Sequence, residues 1–208
     1  MTRFFLATFL IFGMFLASPL RADSAEDAWR HADPATVDFT LRLARRAFDS
    51  WVLQHQVIDV PADIPPLLKL RSGVFISTSR QGAPRTCMGT LYPLHGTLAQ
   101  EIIANAVVSA GRDHRFAPVK PDELKHLRLI VSIVGRPEQI DASELSSIDP
   151  LRDGLAVRFG HNFGVVLNGE TRDLQTMEKW GRIRAGANAE DAVDFYRLEV
   201  VRFIEPVE

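Results

Sequence analysis

The sequence predicts an α+β fold: a mainly antiparallel sheet with flanking helices. Three observations predict it. Apolar residues recur at helical spacing over 37–55, 97–109 and 173–185. Short β-type runs occupy 74–79, 85–91, 127–134, 154–159, 162–168 and 195–204. Two pairs of these runs are joined by short links, 80–84 with Gly82 and Pro84, and Gly160-His161. That is hairpin spacing, and hairpins make antiparallel neighbours.

The chain opens with Arg3 ahead of a strongly apolar stretch, 4–20, broken by Gly13 and Pro19. Small-residue sites follow, ending at Ala22 and Ala25. This is the layout of a secretory signal peptide. Residues 1–22 are therefore expected to be a signal peptide, or an uncleaved N-terminal anchor, and the protein to be exported, to the periplasm. The stretch is short for a membrane span, which needs about 20 apolar residues. Membrane association is expected only if the leader is retained. No cysteine stands near its end to carry a lipid. One domain is expected over 33–208.

Asp33-Pro34 reads as an N-cap with proline at the first helical position. The helix that follows buries Leu41, Ala44, Ala47, Phe48, Trp51 and Val52 on one face. Arg42, Arg45, Arg46 and Asp49 fall on the other, which reads as a solvated face. Residues 59–66 hold three prolines and no periodicity and form a loop. Thr97 and Gln100 make a capping box for the second long helix, and Gly111 reads as its stop. Asp113-His114-Arg115-Phe116 reads as a polar turn with Phe116 as an anchor into the core, or as a basic patch beside the preceding hairpin. Residues 121–126 make one helical turn. The nearly all-apolar run 127–134 belongs to the middle of the sheet. In the last helix, Leu174, Met177, Trp180 and Ile183 form an apolar stripe expected to face the core.

The chemistry-bearing stretch is 85–91, Arg-Thr-Cys-Met-Gly-Thr-Leu, with the only cysteine of the chain, Cys87. Strand alternation puts Arg85, Cys87, Gly89 and Leu91 on one face and Thr86, Met88 and Thr90 on the other. Same-face neighbours lie roughly 6.6 Å apart, so the Arg85 guanidinium is within reach of the Cys87 sulfur. Gly89 leaves space on the sulfur's other side. A thiol, a cation and a vacancy are the parts of a reactive-cysteine pocket. The opposing fact is that free cysteine commonly serves as a small buried hydrophobe.

This stretch resembles the signature of the AMMECR-type domain, also called AmmeMemoRadiSam system protein A, Arg-Gly-Cys-Ile-Gly-Thr-Leu. Thr86 and Met88 stand at its second and fourth positions. The resemblance continues through 93–115, where His114 replaces a proline, and through 119–121, 127–134 and 149–167, within a span of about 36–204. It implies an α+β fold and an unsettled activity with suspected cysteine chemistry. It also implies Memo-type and radical-SAM partners, which an exported protein would not share a compartment with. Family members usually carry a glutamate where Ile130 stands, and a Leu-Leu-Pro-type stretch after 149–167 that is altered here.

Other classes are excluded or unsupported. The formal charge is −2 and there is no basic stripe, so no nucleic-acid partner is expected. One cysteine rules out an intramolecular disulfide and a cysteine-rich zinc site. The six histidines are scattered and show no ligand spacing, so no metal is expected. There is no P-loop or dinucleotide fingerprint, and no cofactor can be named.

Two functions remain open. One is an enzyme acting on a small molecule or protein, with Cys87 as nucleophile and Arg85 activating it. His95, His114 and His161, in turns flanking the sheet, are the candidate bases. The other is a non-catalytic module that grips a small ligand or peptide at 85–91. In either reading Thr86, Gly89, Thr90, His114, Arg115 and His161 are the candidate binding residues.

Overall fold

The computed structural model describes residues 25–206. The expected leader, 1–22, lies outside the described residues. The elements run α1 (Ala25–Arg30), α2 (Pro34–Gln54), β1 (Gly73–Arg80), β2 (Ala83–Thr90), α3 (Leu98–Gly111), β3 (Leu127–Val134), β4 (Glu138–Ile140), β5 (Asp153–Phe159), β6 (Asn162–Val166), α4 (Leu174–Ala185) and β7 (Asp194–Ile204). Short 3-10 turns occupy Pro66–Lys69, Pro121–His126 and Ala142–Ser147.

One antiparallel sheet runs β2-β1-β3-β7-β5-β6, with β4 on β7. The α+β expectation holds, and β3 is interior as its apolar run required. The β1–β2 turn is Gln81-Gly82, both with positive φ, 53° and 82°. That is the type I′ geometry that matches strand twist, and it is why glycine stands there. The link is therefore two residues rather than five.

Two helix faces build the cores. The Asp33 carboxylate caps α2 by accepting from the Thr36 N–H at 2.9 Å. The Thr97 capping box starts α3. These helices bury Phe48, Leu98, Ile102 and Ala106 against Val74, Ile76, Leu129, Val131 and Ile133 of the sheet. Gly111 is the last residue of α3 and not a left-handed stop. A Cβ on it would lie 2.4 Å from the Trp51 indole nitrogen, so it serves close packing between helices.

The apolar stripe expected on the last helix holds in its first half, where Leu174 and Met177 pack on the core, and is corrected in its second. Trp180 and Ile183 are exposed, while Met177, Gly181 and Ala185 face inward. The reason is backbone approach: a Cβ on Gly164 of β6 would sit 1.9 Å from the Gly181 carbonyl oxygen. The helix lies too close to the strand for large side chains between them. Helix α1 and strand β4 were not anticipated. α1 buries Trp29 against Phe203, with ring centroids 5.8 Å apart.

On the sheet face away from α3 lies a further apolar cluster of Leu91, Val134, Tyr196, Leu198 and Val200, with Phe75, Cys87, Phe163 and Val165 packed on it. Rings link the two ends of the sheet: Tyr92 to Phe163 at 5.9 Å, and Phe163 to Tyr196 at 5.7 Å.

Candidate functional site

Strand β2 is an edge strand, so its outer backbone groups need partners other than a strand. Opposite Cys87 on β1 stands Ser77. The Cys87 N–H and C=O both point outward and are taken by one ion pair. Asp113 Oδ2 accepts from the Cys87 N–H at 2.9 Å, and Arg115 Nη2 donates to the Cys87 carbonyl at 2.7 Å. Arg115 also donates to Asp113 through Nε (2.9 Å) and Nη2 (2.7 Å). The Asp113 side chain is 2% exposed. Its carboxyl lies below the usual range: burial pushes it up, but the Arg115 and Cys87 hydrogen bonds outweigh burial. The Asp113–Arg115 pair thus completes the strand edge at the cysteine.

The inward threonines are structural. Thr86 is buried and its hydroxyl lies 2.8 Å from the hydroxyls of both Thr78 and Ser109. Thr90 donates to Glu101, a buried carboxylate of α3. Glu101 also accepts from the N–H groups of Leu94 (2.9 Å) and His95 (2.8 Å), tying down the loop after β2.

Arg85 does not serve the thiol. The β1–β2 register shifts between Thr78 and Ser79, and Arg85 falls at that irregularity, which breaks the simple alternation. Its guanidinium grips Glu123 through Nε at 2.9 Å and Nη2 at 3.0 Å, and Nη2 also reaches the Ala117 carbonyl at 2.9 Å. The Arg85 hydrogen bonds pull Glu123 down to about 2. Gly89 does not leave a vacancy either. A Cβ there would lie 2.4 Å from the Val74 carbonyl oxygen and 2.5 Å from Phe75 Cα and Cγ, so Phe75 already fills the place.

The electrostatics around the sulfur follow. Burial pushes the Cys87 thiol up; the Ser77 hydroxyl lowers it, Glu170 raises it, and Arg115 and Arg184 lower it. Burial wins, so the activation of this thiol expected from Arg85 is corrected. The cations near it are Arg115 and Arg184, not Arg85. Arg184 is itself tied to Glu170 (2.7 Å) and to the Val165 carbonyl (2.5 Å).

His114 and His161 are exposed in their turns, as is His95, and among the described residues none hydrogen-bonds Cys87. Phe116 is not a core anchor. It is 40% exposed and flanked by the Arg85 and Arg115 guanidiniums, 5.8 and 5.6 Å from its ring centroid. Among the described residues no group of three or more His, Cys, Asp or Glu side chains could hold a metal, and no helix is long and apolar enough to cross a membrane. Sequence reasoning missed Asp113 as the strand partner, Ser77, and the Glu170–Arg184 pair. Only Asp113 carried a local signal, its i,i+2 spacing to Arg115 in a turn.

The AMMECR1 family model matches residues 41–203. The chain belongs to the AMMECR1 family. A protein of Thermotoga maritima is 34% identical over 169 residues, covering 78% of this chain and 95% of that protein. A protein of Thermococcus gammatolerans is 37% identical over 138 residues, covering 62% of this chain and 67% of that protein. The crystal structure of an uncharacterized protein from Pyrococcus horikoshii superposes with a TM-score of 0.75 at 30% identity, covering 82% of this chain and 92% of that one. The AMMECR1 domain of this chain thus keeps the α+β fold that its motif implied.

Proposed function

We propose that this AMMECR1 domain is a non-catalytic binding module that recognises a small ligand or peptide at the 85–91 strand. One observation supports this most: the arginine suited to activating Cys87 is committed to Glu123. Burial also pushes the half-buried thiol up, away from the thiolate. A neutral thiol is a poor nucleophile. What the surroundings of β2 offer instead is a mixed surface: Arg115 across the strand edge, Phe116 exposed beside it, and the Tyr92–Phe163 pair at the far end. Arg115 and Arg184 near the sulfur favour the second reading, Cys87 as nucleophile on a small-molecule or protein substrate.

A thermal-shift screen of small acids and peptides tests the choice. Ligands that stabilise both the native protein and Cys87→Ala, and are lost in Arg115→Ala, are the expected result. Turnover of a binder that needs Cys87 overturns it. We also propose export through residues 1–22. Cleavage after Ala22 leaves helix α1, and with it the buried Trp29, intact. Intact mass of the protein from its native host checks this, and a species retaining Met1 refutes cleavage. An exported protein would act apart from the Memo-type and radical-SAM partners.

A further inference from the structure

A cleft of about 630 Å³ lies between α2, the 3-10 turn before β3 and Glu205-Pro206 after β7. It shares no residue with the Cys87 surroundings. Its volume falls within the roughly 300–1,000 Å³ of small-molecule sites. The sequence read Arg42 and Arg45 as a solvated face, yet both line this cleft.

The charges there divide into committed and uncommitted groups. Arg45 is fully used: Nε and Nη2 hold Glu205, Nη1 reaches Asp49 at 3.5 Å, and Nη2 donates to the Leu127 carbonyl at 2.9 Å. Glu205 also accepts from the Leu129 N–H at 2.8 Å. Asp38 is paired with Arg42. All three carboxylates lining the cleft are therefore answered by arginines. The cations are not all answered. Lys125 is exposed and has no partner among the described residues. Among the described residues Arg128 spends only Nε, on the Glu205 backbone carbonyl, and its terminal nitrogens have no partner there. Leu41 and Leu124, both partly buried, supply apolar wall between these charges. Burial also pushes the Asp49 carboxyl up, with Arg45 pulling it back, and perturbed acids in clefts mark functional sites.

We propose that this cleft binds a small soluble anion, a phosphate or carboxylate carrying an apolar group, with Lys125 and Arg128 holding the charge and Leu41 and Leu124 the apolar part. This is a second site, independent of the β2 surface. Charge-assisted hydrogen bonds account for the anion, and the leucines for a preference over the bare ion.

The test is titration of phenyl phosphate and of inorganic phosphate into the mature protein, followed by calorimetry and amide chemical shifts. The expected result is saturable binding with shifts at Leu41, Leu124 and Lys125, tighter for phenyl phosphate. Lys125→Ala with Arg128→Ala should weaken it about tenfold or more, the loss of one or two charged hydrogen bonds. Lys125→Arg should hold affinity within about threefold, a change below ~0.7 kcal/mol. Arg152→Ala, an exposed cation elsewhere, should change nothing. Absence of saturation overturns the proposal, as does equal weakening by Arg152→Ala, or a loss in Lys125→Arg as large as in the double variant. Vesicles of phosphatidylcholine with phosphatidylglycerol test a lipid source of the same phosphate. Co-sedimentation that needs Lys125 and Arg128, while phenyl phosphate fails to saturate, overturns the soluble ligand.

Discussion

The sheet ends in β2 on one side and β6 on the other, and each edge carries an arginine beside a carboxylate. At β2, Arg115 and Asp113 take both backbone groups of Cys87. At β6, Arg184 donates to the Val165 carbonyl and pairs with Glu170. The Asp113 side chain is 2% exposed, whereas Arg184 and Glu170 are 32% and 22% exposed. Each edge also depends on a glycine, Gly89 under Phe75 and Gly164 under α4. The motif edge is held by a buried carboxylate that satisfies a backbone donor. The other edge is held chiefly by a helix laid on it, with its ion pair as an accessory. Similar residue types thus do unequal work, and burial of the acceptor decides how much.

Substitutions at the two edges should separate these cases. Gly164→Ala is expected to cost most, about 3 kcal/mol or more, because both the strand and α4 backbones are in the way. Asp113→Ala comes next, at about 2–3 kcal/mol, since it strands the Cys87 N–H and removes the partner of Arg115. Gly89→Ala should cost about 2 kcal/mol by overpacking against Val74 and Phe75. Arg184→Ala should cost less than about 1 kcal/mol, as a partly exposed ion pair does. Urea unfolding of the four variants gives the order directly. An Arg184→Ala loss equal to that of Asp113→Ala would break the comparison.

The same contrast explains what was legible from the chain alone. Helices α2 and α3 and strand β3 announce themselves because caps, helical spacing and an interior apolar run all agree. Helix α4 stands where it was expected and turns Leu174 and Met177 to the core as expected, but Trp180 and Ile183 face out. Hydrophobic periodicity weighs Trp180 and Ile183, while the packing is decided by Gly181 meeting Gly164, small residues that carry no hydrophobic signal. Helix α1 lies between the expected leader and the expected domain start at 33, and is fixed by Trp29 packing on Phe203, 174 positions further on, a contact with no local signature. At the site, strand alternation gave Arg85 to Cys87. The irregularity at Thr78/Ser79 and the distant Glu123 gave it elsewhere, and neither has a local signature. Arg115, Ser77 and Arg184 come to the sulfur from three separate parts of the chain.

A smaller effect sharpens the account of Arg85. Its hydrogen bonds hold Glu123 at about 2, against an ordinary 4.5. A carboxylate depressed in the folded state stabilises the fold above its unfolded pKa, and that stability is lost as pH falls through the folded one. The penalty of Glu123→Gln should therefore be full at neutral pH, shrink below about 4.5 and vanish near 2. Denaturation of both proteins across that window checks it. A penalty independent of pH would mean that Arg85 and Glu123 matter by packing rather than by charge.

The most direct measurement is the pH dependence of Cys87 alkylation by iodoacetamide in the folded protein. No other thiol is present to confuse it. The expected midpoint lies above the free-cysteine value of about 8.5. Arg85→Ala should leave it where it is, because that guanidinium belongs to Glu123. Arg115→Ala should move it further up, because Arg115 is a cation that favours the thiolate. A midpoint below neutrality that rises when Arg85 is removed would contradict the account and restore Cys87 as an activated nucleophile.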